Sequence, residues 1–200
     1  MSDMGRSTDE RLKTELLAAV VDYVSETGLA DLSLRPLAAA IGTSPRTLLY
    51  HFESKEQLLA TILDEARRRQ RTLLEAWQGR SAEHDARTLL LRAWQWLAAA
   101  RHEKVFRLFF EAYGLGLQDR KRYAAFLRGS ANDWKAPFTR AFEAHGFSRE
   151  RATGLATLVV AVIRGLLLDS LATGDRDRAD RAFRSFIYAI ELPEPRRPEP

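Results

Sequence analysis

The residues with the most chemistry in them lie between positions 32 and 59. Two short helix-forming segments there flank Gly42 and Thr43. Ser33 can cap the first, with Pro36 in its tolerant first turn. Ser44 can cap the second, with Pro45 at the favoured first position. Two short helices joined by a tight glycine turn make a helix-turn-helix. Ala38 and Ala39 are small enough for close approach, and Leu37, Ile41, Leu48 and Phe52 supply a core. The outward face of the second helix then carries Pro45, Arg46, Thr47, Tyr50 and His51, next to Thr43 and Ser44. Those types suit a DNA groove. Arginine binds guanine bidentately, a threonine methyl meets a thymine methyl, and tyrosine and histidine reach phosphates. Arg35 opens the first helix on the same side. Lys55, at the start of a following helix, puts an ammonium beside free backbone donors, a phosphate site.

The elements that must hold these residues are helical. No Asn-Gly or Asp-Gly hairpin signal occurs. A first helix is expected from a capping box at Ser7 and Glu10, through Leu12, Leu16, Val20 and Val24, to Gly28. A capping box over Ser54 and Gln57 opens a long fourth helix to about Ala76. Further helices are expected at about 85–100, 104–113 (stopped by Gly114 and Gly116), 120–144, 148–173 and from a cap at Asp177. The last has a stripe of Ala179, Ala182, Phe183, Phe186, Ile187 and Ile190. The fold class is all-α: an N-terminal three-helix helix-turn-helix domain over 1–60, a C-terminal helical bundle over 61–192, and a Pro-rich disordered tail over 193–200.

Composition narrows the function. The 200 residues are 46% hydrophobic and carry a net charge of +4, enough core for a globular chain and a mild bias toward anionic partners. There is no cysteine, hence no disulfide scaffold, thiolate nucleophile or Cys-based metal site. That agrees with a reducing cytoplasm, the expected location. The four histidines are scattered without a His-x-x-x-His or His-Glu-x-x-His pair, so neither a metal nor a cofactor is expected. No phosphate loop or nucleophile elbow appears, and an enzyme is not expected. Residues 155–168 are almost continuously apolar, but Arg164 interrupts them. A buried helix of a soluble protein is expected there, not a membrane span. The basic run 67–71 reads as a solvated helix end rather than a DNA contact.

Residues 7 to about 60 resemble the DNA-binding domain of the tetracycline-repressor-type (TetR) family of bacterial transcription regulators. The resemblance rests on a capped first helix, Gly28, the second helix from Ser33 to Ala38, Gly42, Ser44, and above all the stretch Leu49-Tyr50-His51-Phe52-Glu53-Ser54-Lys55-Glu56-Gln57-Leu58. The chain departs from the family pattern at Thr43, where valine is common, and at Leu49, where many members have tyrosine. Residues 1–55 carry six Lys/Arg against eight Asp/Glu, so the cationic character is local to Arg35, Arg46 and Lys55.

The resemblance implies a homodimeric regulator, in the main a repressor, on a palindromic double-stranded DNA operator. Its dimer helices would pair through Leu155, Val159, Val162, Ile163, Leu166, Phe183, Phe186 and Ile187, which could otherwise complete a monomer core. Half-sites about 34–36 Å apart demand such pairing. The aromatic wealth of the middle helices points to a pocket for a small hydrophobic or aromatic effector. Trp77, Trp94, His102, Phe106, Phe110, Tyr113, Phe126, Trp134 and Arg164 are its candidate lining. The alternative is a DNA-organising or protein-interaction module of the same fold with no effector.

Overall fold

The computed structural model describes residues 2–29, 32–78 and 86–190, with side chains from residue 9 and excluding those of 77 and 78. The expected tail lies outside them. Among the described residues the regular structure is all helical: α1 Ser2–Thr27, α2 Leu34–Ala40, α3 Pro45–Phe52, α4 Lys55–Gln78, α5 Ala86–Leu97, a 3-10 turn Ala100–His102, α6 Glu103–Gln118, α7 Ala124–Ala144, α8 Arg149–Thr173 and α9 Arg176–Ala189.

Most boundaries follow the capping chemistry. Ser44, Ser54 and Ser148 each accept a hydrogen bond from the backbone three residues on. Gly174 closes α8 in the left-handed conformation. Four expectations need correction. Helix α1 begins at Ser2, so Ser7 lies inside it and is no cap. Ser33 stands at the cap position of α2 but its side chain makes no capping bond. Asp175, not Asp177, caps α9, accepting from the Arg178 N–H at 3.0 Å. Gly114 and Gly116 do not stop α6. A Cβ at Gly116 would sit 3.1 Å from Leu127 Cδ2, so this glycine serves close packing against α7.

The chain forms two compact units. One comprises residues 1–69 and 107–127. Its core joins Val20, Val21 and Val24 of α1 to Leu37, Leu48, Phe52, Ile62 and Leu63, with Leu108, Ala112 and Phe126 from α6 and α7. The other comprises 70–106 and 128–200. In it, Trp134, Phe138 and Phe142 of α7, Ile163 of α8 and Phe183 and Ile187 of α9 are wholly buried. Burying such side chains is the main source of stability in both units, on the order of 1.5–3 kcal/mol each.

Helix α8 is long and apolar enough to cross a membrane, with a mean hydropathy of 2.0 over its best window. One side of it packs inside the second unit through Ala152, Ala156, Val159, Val160, Ile163 and Leu167. On the same helix Arg164 donates to the Ser130 carbonyl at 3.0 Å and lies over the Trp134 ring.

Candidate nucleic-acid interface

The turn that orients α3 is fixed by backbone bonds. At the end of α2 the Gly42 N–H reaches the Ala39 carbonyl and the Thr43 N–H the Ala38 carbonyl, at 3.3 and 2.9 Å. The closure needs a left-handed residue, and Gly42 supplies it at φ +70°. Ser44 Oγ then accepts from the Thr47 N–H at 3.0 Å and sits 2.8 Å from Thr47 Oγ1.

In α3 two faces of three residues separate. Leu48, His51 and Phe52 are buried, while Arg46, Leu49 and Tyr50 are exposed, each set at i, i+3, i+4 spacing. Tyr50 is 72% exposed and Leu49 39%. His51 departs from expectation. It is turned inward, its Nδ1 3.6 Å from Asp9 Oδ1 on α1, so it belongs to the domain's interior rather than to a groove-reading face. Leu49 takes the place on the outer face that sequence polarity had given to histidine.

Helix α3 leaves through Glu53, whose φ of 64° and ψ of −50° belong to a strained γ-turn closed by the Ser54 N–H on the Phe52 carbonyl at 2.7 Å. That turn sets Lys55 at the first position of α4. Lys55 lines one open notch with Ser33, Leu34, Arg35, Pro36 and Pro45. Arg35, Arg46 and Lys55 are all exposed, and Thr43, Pro45 and Thr47 are half-buried. The notch therefore gathers two cations beside the starts of α3 and α4, where backbone N–H groups favour anions.

The basic run on α4 is occupied internally. Arg68 and Arg69 both bond Glu65, and Arg69 reaches Asp22 on α1. Burial pushes the Glu65 pKa up, but the hydrogen bonds and charges of the two arginines outweigh it and hold the carboxyl below its usual range.

The candidate effector residues fall in both units. In the first unit Tyr113 packs near Phe126 and Phe109, with Phe110 beside Phe109. In the second, Trp94 stacks on Phe183 at 4.8 Å and donates to Asp180 at 2.6 Å, a core role. His102 is buried with both ring nitrogens engaged: Nδ1 on the Trp96 carbonyl at 2.8 Å, Nε2 accepting from Arg101 at 3.2 Å. Phe106, Trp134 and Arg164 form one contiguous set. Trp77 falls among side chains outside those described. A cleft of about 200 Å³ opens in this unit between the 97–100 segment, Glu103 and Phe106 on one side and Leu167, Ser170, Leu171, Gly174 and Arg176 on the other. Of the eight candidates with described side chains only Phe106 lines it.

The residues expected to pair divide by burial. Val159, Ile163, Phe183 and Ile187 are buried within the protomer and are core. Leu155, Val162, Leu166 and Phe186 are half-buried. The exposed stripe of α8 is instead Gly154, Leu158, Ala161, Gly165 and Leu168, with Leu158 at 45% and Leu168 at 52%. A helix apolar nearly all round hides which side is outermost, and the sequence signal was the glycine spacing alone.

Residues 14–62 match the family model of bacterial regulatory proteins, tetR family. The fold is shared with a transcriptional regulator from Rhodococcus sp. Rha1, at 21% identity and TM-score 0.72, covering 90% of this chain and 99% of that one. It is shared too with a TetR-like transcriptional regulator from Rhodococcus sp. RHA1, at 21% identity and TM-score 0.62, covering 88% and 92%. A regulator structure from Saccharomonospora viridis, in complex with choline, gives 20% identity and TM-score 0.72 over 90% and 97%. No curated protein matches the chain. Over residues 14–62 the chain is thus similar to the N-terminal domain of the tetR family of bacterial regulatory proteins, and over most of its length it shares its fold with transcriptional regulators.

Proposed function

We propose that this regulator is a cytoplasmic homodimeric repressor that binds a palindromic operator and is released by a small hydrophobic or aromatic effector. The observation that carries the reading is the outer face of α3, where Arg46, Leu49 and Tyr50 stand exposed beside the cationic notch of Arg35 and Lys55. A base-reading side chain flanked by phosphate-binding cations is what sequence-specific docking needs.

Pairing through the exposed α8 stripe is supported by its two glycines. A Cβ at Gly154 or Gly165 would meet nothing within 4 Å, so neither is required by the protomer's own packing. The effector reading draws on the cleft beside Phe106 and on buried polar groups of the same unit. The Gln70 amide and Ser130 Oγ are buried without a hydrogen-bond partner among the described residues, and such groups are costly unless something satisfies them. The choline held by the Saccharomonospora viridis structure supports a small ligand in this fold. Release then works by population shift: the effector prefers a conformer that spaces the two recognition helices wrongly for DNA.

The test is selection from a random duplex library at about 150 mM salt, which suppresses non-specific phosphate binding. A palindromic consensus is the expected result. Failure of a folded dimer to enrich any sequence, before or after partial unfolding and dialysis to remove bound ligand, overturns the reading.

A further inference from the structure

We infer that Leu49 reads thymine methyl groups in the operator, which makes it a specificity-determining residue. The inference rests on the operator reading above. Leu49 is on the outer face of α3, three residues after Arg46 and next to Tyr50, and is 39% exposed while its neighbour Leu48 is fully buried. The surrounding outer surface is built for an anion: Ser44 at the cap, Arg35 and Lys55 in the notch. A branched aliphatic side chain among these groups neither donates to a phosphate nor accepts from a base.

Its chemistry leaves one match on the base edges. The base edges of the major groove offer donors, acceptors and a single apolar group, the C5 methyl of thymine. The spacing favours that match, because residues at i and i+3 share a helix face. Leu49 thus meets the base pair next to the one that Arg46 addresses, and the operator carries a thymine there in each half-site. Where a hydroxyl at this position would hold a phosphate whatever the sequence, leucine converts the position from anchoring to discrimination.

The experiment uses the full chain and the duplex enriched by selection, with each thymine replaced in turn by deoxyuridine. That change removes the methyl and leaves base pairing intact. Replacement at one symmetric position should weaken wild-type binding about fourfold per methyl, the equivalent of ~0.8 kcal/mol for one buried carbon, and about fifteenfold when both half-sites are changed. Leu49→Ala should bind the two duplexes equally, and Leu49→Met, which keeps apolar reach, should retain discrimination. Circular dichroism of the variants checks that an exposed substitution leaves the fold intact. If wild type binds every deoxyuridine duplex within twofold of the parent, Leu49 touches only the sugar-phosphate backbone and the inference is overturned. If Leu49→Ala keeps the sensitivity, another side chain reads the methyl, with the same consequence. If no duplex is enriched at all, it is the operator reading that fails.

Discussion

The carboxylate of Glu111 on α6 accepts a hydrogen bond from the backbone N–H of Leu29 at 2.6 Å, tying α6 to the turn between α1 and α2. The turn is shaped to receive it. Gly28 ends α1 at φ +87°, and a Cβ there would lie 3.3 Å from Glu111 Oε2. A charge-assisted bond at this place satisfies a donor just past the end of α1 and fixes Leu29 against α6.

Removing that acceptor should therefore cost more than a surface change. Glu111→Ala should lower unfolding free energy by about 1.5–3 kcal/mol, as for hydrogen bonds to charged groups, and Glu111→Gln by less because its carbonyl still accepts. Urea titrations of the three proteins measure this. Equal stability of Glu111→Ala and wild type would show that the bond contributes nothing net.

Glu53 offers the opposite sign. Its φ of 64° with ψ of −50° is a conformation that side-chain-bearing residues rarely adopt. Glycine carries no such penalty, so Glu53→Gly should stabilise the first unit by about 1 kcal/mol, net of the entropy glycine loses on folding. The midpoint of thermal unfolding should rise. Because Lys55 stands two residues on, DNA affinity of the variant reports whether the turn also positions that cation.

These cases show what residue types could and could not convey. Capping serines and helix-ending glycines act through the local backbone, so the helices and the helix-turn-helix were readable. Gly116 was misread as a helix stop because its reason is tertiary, the approach of Leu127. In α3 the division of faces went wrong at His51. Polarity places it outside and leaves Leu49 on neither face, and eight residues hold too few turns for periodicity to correct it. The structure places His51 inside near Asp9 and Leu49 on the outer face. The effector residues were the least legible, since an aromatic on an amphipathic helix looks the same whether it fills a core or lines a cleft.

His102 predicts a pH dependence. Burial pushes its pKa down, its bond to the Trp96 carbonyl works the other way, and the neighbouring Arg101 charge lowers it further; the net shift is below the ordinary 6.5. The folded protein thus favours the neutral ring, which donates from Nδ1 and accepts from Arg101 at Nε2. The unfolded chain binds the proton first, so stability rises with pH across this window. The contribution is complete above pH 6.5 and is lost as pH falls from there through the folded value. Urea unfolding between pH 7.5 and about 5 should show the decline, and His102→Asn should flatten it.

Assembly should divide two leucine-zone substitutions cleanly. Ile163 is wholly buried in the protomer, and Ile163→Ala should cost about 2–5 kcal/mol by leaving a cavity. Leu158, on the exposed stripe of the same helix, should behave otherwise. In the proposed dimer Leu158→Glu would place like charges against each other across the two-fold axis, so sedimentation should show monomer with native helicity and no concentration-dependent unfolding. A Leu158→Glu protein that remains dimeric would move the interface off this face.

The two classes of DNA contact should separate by their response to salt and sequence. Arg46 lies on the outer face of α3, and Arg46→Ala should weaken binding to the selected duplex by about 1–3 kcal/mol while barely changing affinity for random DNA. Lys55 lines the notch with Arg35, and Lys55→Ala should weaken both DNAs alike. It should also reduce the slope of log affinity against log salt by about 1 per subunit, since one phosphate contact fewer releases one counterion fewer. Binding titrations from about 50 to 200 mM salt decide it. If Arg46→Ala lowered specific and random affinity equally, Arg46 would be a phosphate contact, and the reading of bases would pass to the remaining outer-face residues, Leu49 and Tyr50.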